Sequence, residues 1–160
     1  MKNLKITILL FLLFTNINAV SDDTMPLFSL PDASGKMHTI SEWQGKTLVI
    51  NFWATWCQPC LKEIPEFIQL QTKYEKKNVQ FIGIAIDELP AVIRYKNTIP
   101  INYPILISGE WEGFNLAQQF GNNSNTVPYT IVINRVENII YRYAGVVKKE
   151  SLMVAIEQKN

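Results

Sequence analysis

Trp56-Cys57-Gln58-Pro59-Cys60 holds both cysteines of this 160-residue chain. The apolar run Thr47-Leu48-Val49-Ile50-Asn51-Phe52 precedes it, and a helical pattern beginning near Pro59 follows it. A buried strand, a tight turn and a helix N-terminus are therefore expected to meet at Cys57. That location has a chemical consequence. A thiolate is the reactive form of cysteine, and the free N–H groups and positive dipole end of a helix stabilise it. Cys57 is expected to be the exposed sulfur with the lowered pKa. Cys60 falls one turn inside the helix, within reach of a mixed disulfide formed at Cys57. Pro59 suits the first helical turn, where a missing N–H costs nothing.

Other uses of a C-x-x-C pair fit poorly. A structural zinc site takes about four ligands, and the chain offers two cysteines and one distant histidine, His38. Haem attachment requires histidine directly after the second cysteine, where Leu61 stands. A purely structural disulfide closing so short a loop constrains the unfolded chain little. Redox exchange is the reading that gives the strand–turn–helix context a purpose.

The chain has the length of one domain. Hydrophobic residues make up 48% and charged residues 18%, enough to bury a sizeable core. A formal charge of +1 without a basic run gives no sign of nucleic-acid binding. Residues 1–19 read as an export signal: Lys2 and Lys5 supply positive charge, Ile6 to Phe14 are almost wholly apolar, and Ala19 offers a small residue for cleavage. The apolar core is shorter than the ~20 residues that span a bilayer, although an uncleaved anchor is an alternative. Residues 20–25 read as a linker and 26–160 as the domain. Export would place the cysteine pair in an oxidising compartment.

Along the domain, short extended runs at Leu27 to Leu30 and Lys36 to Ile40 flank a Gly35 turn and suggest a hairpin. His38 is expected on its exposed face. Thr47 to Phe52 and Val79 to Ile86 read as central strands buried on both sides. The helix between them, about Pro59 to Lys76, makes a parallel crossover unit. Cys60, Ile64, Phe67, Ile68 and Tyr74 mark its buried face, and Pro65, inside it, is expected to kink it. A short helix at Glu88 to Asn97, a weak extended segment at Pro100 to Ile107 and a helix from Trp111 to Phe120 follow. Val127 to Asn134 and Ile139 to Tyr143 read as an antiparallel strand pair. A closing helix at Lys148 to Lys159 carries Leu152, Ala155 and Ile156 on one face.

With these residues in place, the chain resembles the TlpA/ResA-like group of exported thioredoxin-fold proteins, which includes the cytochrome c maturation reductases. The resemblance covers nearly everything after residue 25. It is carried by Phe28 and the Gly35-Lys36 turn, by Gly45-Lys46 and the run from Asn51 to Cys60, and by Glu63, Pro65, Val127-Pro128 and Ala144-Gly145. It implies an α/β thioredoxin fold: a central mixed sheet flanked by helices, with an N-terminal β-hairpin and a central insert at Glu88 to Phe120.

The resemblance also implies roles. Pro128 takes the place of a cis proline beside the active-site sulfurs, leaving the Val127 backbone to pair with an extended client. Trp56 would pack against that client. Cytoplasmic thioredoxins bury an aspartate where this chain has Asn51, and an amide cannot take a proton. Glu63, three residues beyond Cys60 on the same helical face, is then the candidate base for Cys60; a glutamate that only favours the helix dipole is the alternative. Group members act as reductants, and Gln58-Pro59 places no cation or histidine between the cysteines to stabilise a strong oxidant. The implied partners are disulfide-containing exported clients and a membrane electron donor of DsbD or CcdA type. A monomer without cofactor or metal is expected. An exported oxidase or isomerase, or a redox-inactive assembly module, are the rival functions.

Overall fold

The computed structural model describes residues 23–158. The expected export signal and residues 20–22 of the linker lie outside the described residues. Asp23 to Met25 are held against the body of the domain: Thr24 bridges Asn138, Met25 N–H donates to the Glu137 carbonyl, and Asp23 pairs with Arg142.

A hairpin opens the fold, with β1 at Ser29–Pro31 and β2 at Met37–Thr39. His38 departs from expectation. Its ring stacks on Trp43 and Nδ1 lies 2.8 Å from the Glu42 carboxylate, while Nε2 lies 3.4 Å from Asp32. A polar ring with an apolar face finds more partners tucked between these groups than pointing into water.

Strand β3 (Thr47–Trp53) leads into α1 (Gln58–Tyr74), β4 (Val79–Ala85) and α2 (Leu89–Lys96). Then come β5 (Ile105–Ile107), α3 (Glu110–Gln119), β6 (Tyr129–Ile133), β7 (Ile139–Ala144) and α4 (Lys149–Glu157). The sheet order is β5-β4-β3-β6-β7. Strands β3, β4 and β5 run parallel, and β6 is antiparallel to both β3 and β7. This is a thioredoxin fold, with the insert from Glu88 to Phe120 supplying the edge strand β5. Asp32 of the hairpin turn bridges Leu106 and so covers part of that edge.

Alternation along β3 divides the core in two. Val49 and Trp53 face a layer built by Cys60, Ile64, Phe67 and Leu152 from α1 and α4. Leu48, Ile50 and Phe52 face Ile40, Leu116 and Phe120 on the other side. Covering both faces explains why β3 is almost wholly apolar, with Asn51 a buried polar exception. Side chains of the flanking strands β5 and β3 close over Gly83 in β4, where a Cβ would lie 2.5 Å from Ile105 Cδ1 and 3.0 Å from Trp53 Nε1.

Parallel β3, β4 and β5 send α1, α2 and α3 off the same end of the sheet. Antiparallel β6 starts at that end and β7 finishes there, just before α4. One edge therefore gathers the N-termini of all four named helices, the turn carrying Cys57, and Val127-Pro128.

Candidate active site

At this edge Cys57 and Cys60 form a disulfide, with Cα atoms 5.3 Å apart. Cys57 is the residue that caps α1, and its Sγ accepts from the Cys60 N–H at 3.2 Å. That N–H is one of the groups a helix start leaves without an intrahelical acceptor. Pro59 sits in the first turn, as the sequence leads one to expect. Cys57 is less open than expected: it is 5% exposed and Cys60 is 0% exposed. Both cysteines belong to the core layer beneath α1, against which Val127 packs. Cys57 is still the outer member, next to Trp56, which is 54% exposed.

Glu63 lies on α1 one turn beyond Cys60 and is 2% exposed. Its Oε1 accepts from the Val147 N–H at 2.5 Å, fastening α1 to the connection between β7 and α4. Its Oε2 has no hydrogen-bond partner. Burial pushes the Glu63 carboxyl up from 4.5 to about 7; the Val147 N–H pulls it down, and Glu66 nearby adds to the rise. A carboxyl that titrates near neutrality, with one oxygen open, can exchange a proton. Asn51 is buried on the same side of the sheet, and its Nδ2 donates to Thr130 Oγ1 at 3.0 Å.

The Val127–Pro128 peptide is cis. Pro128 is buried at the start of β6, which pairs with the end of β3 through Tyr129 and Phe52, and its carbonyl accepts from Gly145 N–H at 2.8 Å. Val127 is partly buried and packs against both core layers. The fold thus brings Trp56, Cys57, Cys60, Val127 and Pro128 to one end of the sheet, with Glu63 one helical turn below.

Asp87 is a residue that sequence reasoning missed. It follows β4 and is buried. Its Oδ2 accepts from Thr55 N–H at 2.8 Å and from Thr55 Oγ1 at 2.5 Å, and its Oδ1 accepts from Glu88 N–H at 2.7 Å. Asp87 thereby pins the turn two residues before Cys57. An acidic residue directly after a buried strand, at the end where the cysteines sit, is the signal that could have found it. Asp87→Ala is expected to lower the unfolding free energy by about 1–3 kcal/mol, because three partly buried donors lose their acceptor. Denaturant unfolding of Asp87→Ala, Thr55→Ala and the double variant checks the pairing; additive losses would show that the two residues do not act together.

Among the described residues, no group of three or more His, Cys, Asp and Glu side chains is arranged to hold a metal. No helix among them is long and apolar enough to cross a membrane.

The model of the Redoxin family matches residues 20–156. The thiol-disulfide oxidoreductase ResA of Geobacillus kaustophilus is 29% identical over 141 residues, covering 87% of this chain and 78% of the relative. The protein of the same name from Bacillus anthracis is 30% identical over 128 residues, covering 79% and 71%. Among solved structures, a thiol:disulfide interchange protein of the thioredoxin family from Chlorobium tepidum TLS superposes with a TM-score of 0.72 at 30% identity, covering 84% of this chain and 94% of that one. The match over nearly all of the described residues, together with a disulfide at the start of α1 beside a cis proline, leads to one assignment: the chain belongs to the Redoxin family, as a TlpA/ResA-like thioredoxin-fold thiol-disulfide oxidoreductase.

Proposed function

We propose that the chain works as a reductase of disulfides in exported client proteins. The observation that carries this reading is the cysteine pair at the α1 N-terminus with only Gln58 and Pro59 between its members. No charge or histidine there favours the reduced form, as a strong oxidant would need.

In the reduced enzyme, Cys57 thiolate attacks one sulfur of the client disulfide. The client S–S bond breaks, a Cys57–client bond forms, and the second client sulfur leaves as a thiolate that takes a proton. Trp56 and the Val127-Pro128 backbone hold the client during this step. Cys60 gives its proton to Glu63 and attacks Cys57 Sγ. The mixed disulfide breaks, the client departs as a dithiol, and the Cys57–Cys60 bond closes. Two electrons have passed from enzyme to client. A membrane donor of DsbD or CcdA type restores the dithiol. The domain of residues 26–160 acts as a monomer in the space to which the segment 1–19 directs it. Apocytochrome c, or a copper-delivery protein of an oxidase, supplies the client disulfide.

The couple is expected at about −200 to −270 mV, on the thioredoxin side of the known range. Equilibration of the purified protein with glutathione buffers measures it. A value near about −120 mV, the range of strong oxidants, would replace the reductase with an oxidase running the same exchange backwards.

A further inference from the structure

Trp111 is the second residue of α3 and is 76% exposed. A single exposed aromatic is ordinary on a protein surface, but this one does not stand alone. It lines a surface groove of about 540 Å³ together with Glu110, Phe114, Asn115, Gln118 and Asn125. Phe114 forms part of the wall and rests on the core layer beneath α3, to which Val127 also packs. Asn125 lies two residues before Val127. Gln118 Nε2 donates to Asn125 Oδ1 at 2.9 Å, and Asn122 Nδ2 donates to the Thr126 carbonyl at 2.8 Å. The far wall of the groove is therefore a braced loop that runs straight into the Val127-Pro128 pair.

The placement follows from the topology. Helix α3 leaves the sheet at the same end as α1, so its first turn and Cys57 share one edge. A client segment paired to the Val127 backbone is extended and advances about 3.3 Å per residue. Continued past Val127 along the loop, such a segment is directed toward the groove that the same loop walls through Asn125. The groove offers two aromatic surfaces, three side-chain amides and one carboxylate, and the exposed Glu112 adds a second carboxylate on the same turn of α3. No basic side chain lines it.

We propose that this groove is a client subsite, taking an apolar or aromatic side chain from the extended segment that flanks the client disulfide, next to a Lys or Arg that meets Glu110. Apolar contact in a shaped groove supplies most of the discrimination, and the carboxylates favour a basic flank and disfavour an acidic one. The inference rests on the reading that Cys57 attacks client disulfides, and it adds which clients are preferred.

The test uses short peptides carrying one cysteine in mixed disulfide with glutathione. In one set a Phe-Lys pair is stepped from about two to about six residues on either side of the cysteine. In the reference peptide those positions are serine. Glutathione disulfide is the small substrate, too short to reach the groove. With reduced wild-type protein, one register of Phe-Lys is expected to raise kcat/KM by about 5- to 20-fold over the serine peptide. Trp111→Ser, a change at an exposed position, should abolish that preference while leaving the rate with glutathione disulfide unchanged. A preference that survives Trp111→Ser, or no preferred register at all, overturns the subsite. Failure of reduced wild type to act on glutathione disulfide and on every peptide overturns the reductase reading, and the subsite with it.

Discussion

Cys57→Ser is expected to abolish disulfide exchange, with a loss of about 10³-fold or more, whereas Cys60→Ser is expected to leave the protein covalently joined to its client. The two outcomes differ because the two sulfurs differ in position. Cys57 caps α1 and is the outer sulfur, and Cys60 is completely buried one turn in. A hydroxyl at position 57 is too weak a nucleophile to open a disulfide. A hydroxyl at position 60 permits the first attack and prevents the second, so the mixed disulfide accumulates. Incubating each variant with a disulfide-containing protein and resolving the products without reductant separates them. A stable adduct on Cys57→Ser, formed through Cys60, would exchange the two roles. Recovered from cells, the adduct on Cys60→Ser identifies the client.

Glu63→Gln is expected to slow resolution of the mixed disulfide by roughly 10- to 100-fold, the lower range of general-base effects, with the first attack by Cys57 less affected. Burial raises the Glu63 carboxyl to about 7, so the proton-accepting form dominates only above neutrality. Wild-type resolution should therefore fall as pH drops through about 7, and the variant should lack that inflection. Stopped-flow measurement of the two steps from pH 5 to 9 checks this. Resolution that is unchanged by the substitution would return Glu63 to a structural role at the helix start.

Stability moves in the opposite direction. The folded carboxyl binds its proton more tightly than the unfolded one, whose pKa is near 4.5. Between about 4.5 and about 7 the native state holds more protons, so stability declines as pH rises. Below that window there is no penalty, and above it the penalty is complete. The shift corresponds to roughly 3 kcal/mol. The amide introduced by Glu63→Gln would keep an acceptor for the Val147 N–H without bearing a charge. The variant should match wild type near pH 4 and exceed it by up to that amount near pH 8, as read by denaturant unfolding of the oxidised proteins. Equal stability at both pH values would show that the buried carboxylate is not costly.

Much of the site is legible in sequence because its parts are neighbours along the chain. Thr47 to Trp53 is mostly apolar because it is covered on both faces, and Pro59 marks the helix start, so the strand, turn and helix around Cys57 follow directly. Glu63 is found by its helical spacing from Cys60. What escapes is set by distant partners. The Val147 N–H that binds Glu63 lies 84 residues away, and Thr55, held by Asp87, lies 32 residues from it. Strand β5 is three residues long and owes its conformation to pairing with Gly83 to Ala85, so its own residues give only a weak signal. His38 reads as a surface residue in a hairpin because Trp43 and Glu42, which enclose it, belong to the following turn. Cys57 is less open than its place in the chain suggests for a related reason: it joins a core layer that also takes Val127 and Val147, residues far along the chain.

The bridges at the two margins of the sheet have a further meaning for a protein that handles extended chains. Asp32 occupies part of the outer side of β5, and Thr24 lies against Asn138 at the approach to β7. An open strand margin is a template on which any unfolded polypeptide can add itself as another strand. Where these margins are already occupied, a passing chain finds fewer backbone groups to join. On the proposed reading, a partly unfolded client would then meet its pairing partner at the end of the sheet where the sulfurs are, and would find less to join at the two bridged positions on the flanks.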